Sequence, residues 1–167
     1  MEQKACVIIG EPIMSFPWGY DEEAEACGQL KLRMLREISL LHTKGYTTFV
    51  VPMDSGIGLY AAELVIGLRE HNPNLTLTCV IPYEEQATKW TPELRERYFN
   101  VLANCTQTML TSTDYTEDCE FCSVLDAIDE ADVVLAVQTK DPGIGPAMAV
   151  ALEYAIVHDH EIITLVA

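Results

Sequence analysis

The sequence predicts a Rossmann-like, three-layer α/β sandwich built on a mainly parallel sheet of about five to six strands. Three observations carry that expectation. Short continuous apolar runs of strand length recur along the chain, amphipathic segments of helix length separate them, and the alternation persists almost from end to end. Parallel neighbours need crossover connections, and right-handed crossovers place helices on both faces of the sheet. In such sheets ligands lie beyond the carboxyl ends of the strands, so the loops that follow the strands are where function is to be sought.

Taken in order, Ala5 to Ile9 is an apolar run closed by Gly10, as expected of a strand buried on both faces. A long helix follows from about Glu22 to Lys44, with Cys27, Leu30, Met34, Ile38 and Leu41 on one stripe and Gly45 as its stop. Thr48 to Val51 is the second strand. Ala61, Leu64, Val65 and Leu68 then mark a helix ended by Asn72-Pro73-Asn74. Leu75 to Ile81 is the third strand, and Thr91 with Pro92 reads as an N-cap and first helical position of a helix to about Asn104. Gln107 to Leu110 is a weaker strand. A helix over Glu120 to Glu130 leads to the strand Val133 to Val137. The last helix, about Pro146 to His158, is expected to bury Ala147, Val150, Ala151 and Tyr154 before the strand Ile162 to Val166.

Length and composition set further bounds. The 167 residues fit one domain, 1–167, with an apolar fraction of 49%, enough for a core without disulfides or a structural metal. No apolar run approaches the roughly 20 residues of a membrane helix. The opening Met1-Glu2-Gln3-Lys4 passes straight into a strand without signal-peptide regions, so a cytoplasmic location with mostly reduced cysteines is expected. Ten Lys plus Arg against 26 Asp plus Glu give a net charge of −16, which repels phosphate backbones and anionic membranes. Nucleic-acid and membrane partners are therefore not expected. A small ligand remains open, because helix N-termini and backbone amides can hold an anion locally.

Two loops stand out. After the first strand, Gly10-Glu11-Pro12 leads to Phe16-Pro17-Trp18-Gly19-Tyr20, dense enough in rings and prolines to be either a rigid lid over a cleft or a loop tucked against the core. After the second strand, Pro52-Met53-Asp54-Ser55-Gly56-Ile57-Gly58 leads into a helix. Its glycines allow amides to face an anion, or serve the geometry of a strand-to-helix turn alone.

Order and spacing add a resemblance. The series Phe16 to Glu22, then Phe49 to Glu63 ending in Ala-Ala-Glu, then Ile81 to Gln86 with Trp90, then Arg95 to Tyr98, continuing through Tyr115, Cys119, Asp129, Asp132 and Tyr154-Ala155, resembles the YpsA-like branch of the SLOG superfamily, named for the Smf/DprA and lonely-guy proteins. The resemblance covers nearly the whole chain. It implies a Rossmann-like fold, homo-oligomers, and a pocket at the strand C-termini for nucleotide-derived or ADP-ribose-like ligands. Carried onto this chain, it makes Gly10, Glu11 and Trp18, then Met53, Asp54, Ser55, Gly56, Gly58 and Glu63, then Glu84 and Trp90, and finally Gly143 and Gly145 the candidate ligand-binding residues.

The departures cluster in that pocket. The family's opening Thr-Gly-His-Arg-Pro falls on Ile9-Gly10-Glu11-Pro12-Ile13, keeping only the glycine. Its second glycine-rich turn falls on Pro52 to Gly58, without the closing carboxylate. Its Arg-Asn pair falls on Ser123-Val124, and its late Gly-Gly-Thr near Pro146-Ala147-Met148. Serine and proline do not replace an arginine fork, and proline offers no amide to a phosphate. The lonely-guy PGGxGTxxE signature is absent. Glu11 and Asp54 would instead repel phosphate and favour an amine, a ribose diol or a metal ion.

The remaining motifs read more simply. Cys119-Glu120-Phe121-Cys122 has CxxC spacing, with a helix N-terminus that would lower the pKa of a leading thiol, but it is half of a zinc site. His158-Asp159-His160 reads as a polar turn, and Asp114 to Asp118 as a solvated acidic loop running into a helix. No cofactor and no metal site is expected, and no Ser-His-Asp set, HExxH motif, Walker sequence or GxGxxG fingerprint is present. Three readings stay open: a ligand-binding or regulatory protein with a diverged or decayed pocket; a hydrolase of the N-glycosidic bond of a nucleotide derivative, with Glu63 or Glu84 as acid-base residue and Glu11 converging on it; and a homo-oligomeric interaction module presenting the aromatic loop.

Overall fold

The computed structural model describes residues 4–167. Six strands, β1 (Lys4–Gly10), β2 (Tyr46–Pro52), β3 (Thr76–Tyr83), β4 (Gln107–Ser112), β5 (Val133–Gln138) and β6 (Glu161–Val166), form one sheet in the order β4-β3-β2-β1-β5-β6. Every pairing is parallel. Five helices connect them: α1 (Glu25–Thr43), α2 (Ile57–Arg69), α3 (Pro92–Asn104), α4 (Cys119–Asp129) and α5 (Pro146–Val157). The three-layer α/β expectation holds, with six strands.

Alternation along the strands separates two cores. Cys6, Ile8, Phe49, Val51, Leu77 and Cys79 point to one face and pack with α1, α2 and α3, while Val7, Ile9, Val50, Val80, Val134 and Ala136 pack with α4 and α5. The central strands are apolar throughout because both faces are covered; β5 is buried at every position. The outermost strands show why Gln107 to Leu110 gave a weak signal. β4 lies at one edge and has no buried residue, so polar residues are tolerated along it.

The α1 stripe is buried as the periodicity predicts. Its helix begins at Glu25 rather than Glu22, because the backbone at Ala24 is still extended, with ψ 137°. Thr91 caps α3 by accepting a bond from the Leu94 amide at 3.4 Å. For α5 the expected inner face is corrected. Met148, Ala151 and Ala155 are buried, whereas Ala147 and Val150 are exposed and Tyr154 is half-buried. The helix is apolar nearly all round, so periodicity alone could not choose its inner face. The loop from 11 to 24 is divided: Phe16 and Trp18 are tucked into the core, their rings 5.1 Å apart, while Met14 and Tyr20 stay exposed.

None of the described helices is long and apolar enough to cross a membrane.

Candidate functional site

The chain leaves β1 toward β2 on one side and returns through β5 on the other, so a crevice opens at the carboxyl ends of β1 and β5. A cavity of about 520 Å³ lies there. Its walls come from the loops after β1, β2, β3 and β4 and from the first turns of α4 and α5.

Glu11 follows β1 directly and extends it by one bond, its amide donating to the Val137 carbonyl at 3.0 Å. The side chain is 3% exposed. Its carboxylate accepts a bond from the Gly145 amide at 3.0 Å, at the N-cap of α5, although 134 residues separate the two. A Cβ at position 145 would sit 3.1 Å from Glu11 Oε2, so the glycine permits this close approach.

Asp54 does the same at α2. Its Oδ1 accepts bonds from the amides of Gly56 at 2.8 Å and Gly58 at 2.9 Å, at the start of that helix. Removal of the carboxyl from water pushes its pKa up to about 6, against the two amides that lower it, and the nearby Glu120 pushes in the same direction as burial. Position 58 requires glycine on backbone grounds, since a Cβ would meet the Pro52 carbonyl oxygen at 2.6 Å. The starts of α2 and α5, two of the three helix starts at the crevice, therefore each have a carboxylate of the protein bonded to their amides.

Gly10, Met53, Ser55, Gly56 and Trp90 also line the cavity, with Glu11 and Asp54. Trp18 does not. Its indole donates to the Tyr60 hydroxyl at 3.4 Å inside the core. Gly58 and Gly145 stand behind the wall, bonded to the two carboxylates, and Gly143 lies in the connection before α5 with φ +90. Glu63 is held by Arg97 at 2.6 and 3.1 Å, and Glu84 is exposed; neither lines the cavity, so the expected convergence with Glu11 is not found.

Arg97 also pairs with Glu22, which in turn bonds Lys31. Although burial pushes the Glu22 carboxyl up, these two cations hold it below its ordinary range. The Glu63 and Glu22 carboxylates push Arg97 up, so it stays protonated. This network borders a second cleft of about 480 Å³. The Tyr20 hydroxyl and Ser55 Oγ, 2.8 Å apart, lie on the wall shared by the two clefts.

Residue-level reading missed several wall residues. Tyr20, in the aromatic loop, and Gln86, in the ordered series, are not among the ligand-binding candidates that the sequence offers. Glu117 belongs to the acidic run expected to be a solvated loop, yet it reaches the rim with Glu120 and Phe121 because the start of α4 overhangs the crevice. The register of that overhang has no local signal; the strand-end rule applied to β4 was the available one. Ser123 and Val124 are also on the wall, so a departure read from sequence falls in the cavity.

The CxxC pair forms no metal site. Cys119 is buried, and the Cys122 thiol is pushed up by desolvation and by Asp118 and Asp126, which oppose the activation expected at a helix start. Among the described residues, no group of three or more His, Cys, Asp and Glu side chains is placed to hold a metal ion.

A family model for YpsA, described as the YspA SLOG family, matches residues 16–144. A UPF0398 protein of Bacillus licheniformis is 33% identical over 82 residues, covering 49% of this chain and 40% of the relative. A UPF0398 protein of Halalkalibacterium halodurans is 30% identical over 73 residues, covering 44% and 39%. The chain thus spans less than half the length of these relatives.

Proposed function

The chain belongs to the YpsA family of SLOG proteins, and from that membership we propose that it is a small-molecule-binding, regulatory protein whose ligand carries no phosphate at the crevice. The observation that supports this reading is that Glu11 and Asp54 accept bonds from amides at the starts of α5 and α2, facing the crevice. Phosphate recognition at a strand-to-helix turn uses free backbone amides and the positive end of the helix. Here the Gly145, Gly56 and Gly58 amides already donate to buried or half-buried carboxylates, and a phosphate would be brought against two negative charges in a region of low dielectric. The fold's binding position is kept while its anion chemistry is replaced.

The test is a thermal-shift comparison of adenosine and ribose with AMP, ADP and ADP-ribose, since a ligand bound to the native state raises the melting temperature by mass action. The expected result is stabilisation confined to phosphate-free compounds. The double substitution Glu11→Gln and Asp54→Asn keeps an acceptor for each amide and removes the charge, and is expected to increase the response to AMP. Equal stabilisation of the unaltered protein by adenosine and AMP would overturn the reading.

A further inference from the structure

We infer that the crevice takes a small organic cation, a protonated amine or guanidinium attached to an apolar or aromatic body; this rests on the phosphate-free reading and goes beyond it. Four carboxylates, Glu11, Asp54, Glu117 and Glu120, line the cavity, and among its described lining residues there is no Lys, Arg or His. Two of the four lie at the inner wall against the helix starts, and two stand at the exposed rim. A neutral ligand gains only hydrogen bonds from that distribution. A cation is drawn in at the rim and paired inside.

The second observation is Gln86. Its side chain lines the cavity while the residue is only 7% exposed. The amide nitrogen donates to the Met53 carbonyl, which fixes the orientation, and Oε1 is left buried without a partner. An orphaned acceptor of this kind costs free energy unless a donor reaches it, and an ammonium or guanidinium has donors in several directions. Ser55 is engaged with Tyr20, and the Ser123 hydroxyl donates to the Glu120 carbonyl. Four carboxylates and the Gln86 oxygen make acceptors prevail among the polar groups of these walls, and a donating ligand matches them.

The third observation is aromatic. Tyr20, Tyr83, Trp90 and Phe121 contribute rings to the same walls. Ring faces attract cations and pack against flat apolar bodies, and combined with carboxylates they select positive charge over a neutral isostere. The absence of a three-donor metal cluster among the described residues separates this site from a metal centre.

The experiment uses matched probes with one body and different heads: phenethylamine, phenethylguanidine, 2-phenylethanol and 3-phenylpropionate, titrated calorimetrically into the full chain. The two cations are expected to bind at least about tenfold more tightly than the alcohol, with no binding of the carboxylate. The paired rim substitution Glu117→Gln and Glu120→Gln, at exposed positions that leave the core intact, is expected to weaken both cations severalfold without lowering the melting temperature. Gln86→Leu is expected to weaken phenethylamine more than a trimethylammonium analogue, which has no N–H to donate.

Equal binding of alcohol and amine, no binding of either cation, or cation binding indifferent to the rim substitution would overturn the inference. Adenosine binding without cation binding would overturn it while leaving the phosphate-free reading intact. Binding of AMP as tight as that of adenosine would remove that reading separately.

Discussion

At the residue scale, Asp54 joins turn geometry to electrostatics. Its carboxylate ties down two amides of α2, yet ionising it in the folded state is unfavourable, because burial raises its pKa from an ordinary 3.8 to about 6. A group whose folded pKa is raised lets the native state bind more protons between those values. The stability it contributes is complete below about pH 4 and lost as pH rises through about 6. Asp54→Asn keeps the acceptor and cannot ionise. Relative to the unaltered protein it is expected to gain about 2 kcal/mol between pH 4 and 7, the full shift being discounted for partial exposure. Denaturant unfolding at several pH values measures this, and a pH-independent difference would refute it. Glu11 is the companion case, a buried carboxylate whose counterpart is a backbone amide rather than a cation.

At the scale of elements, the site depends on how closely β1 and the start of α2 approach. A Cβ at Gly10 would lie 2.5 Å from the Ile57 side chain, inside the first turn of α2. Neither neighbour has room to yield, since Ile57 is fully buried. Gly10→Ala is therefore expected to cost about 1–3 kcal/mol by overpacking and to widen the β1–α2 junction that frames the cavity. A change below about 0.5 kcal/mol in equilibrium unfolding would show that the junction gives way freely. The same scale explains the divided loop after β1. Phe16 and Trp18 are anchored by core packing, and the anchoring leaves Met14 and Tyr20 on the cavity wall. The lid reading and the tucked reading each describe part of one segment.

For the whole molecule, the net charge of −16 acts on fold and ligand alike. Self-repulsion among 26 acidic residues, offset by ten basic ones, destabilises the compact state and is screened by salt. The melting temperature is expected to rise from about 10 mM to about 200 mM sodium chloride, where the Debye length shrinks from about 30 Å to below 10 Å. A flat or falling profile would mean that the charges are already balanced locally, as Arg97 is between Glu22 and Glu63.

Local chemistry made much of this protein legible. Continuous apolar runs announced the doubly covered strands, the α1 stripe marked its buried face, and Thr91-Pro92 marked the start of α3. The ordered motifs led to the family, and the strand-end rule led to the loops that form the crevice. Apart from the family series, each of these signals lives within one helix or one strand, where neighbouring residues decide the outcome. What only the tertiary structure decided involves partners far apart in the chain. The 134-residue pairing of Glu11 with the Gly145 amide, the withdrawal of Glu63 to Arg97, the burial of Trp18 against Tyr60 and the inner face of α5 have no local periodicity. A carboxylate is equally at home on a surface, in an ion pair or at a helix start. Its role here was fixed only when parallel strand order brought the helix starts to a common crevice.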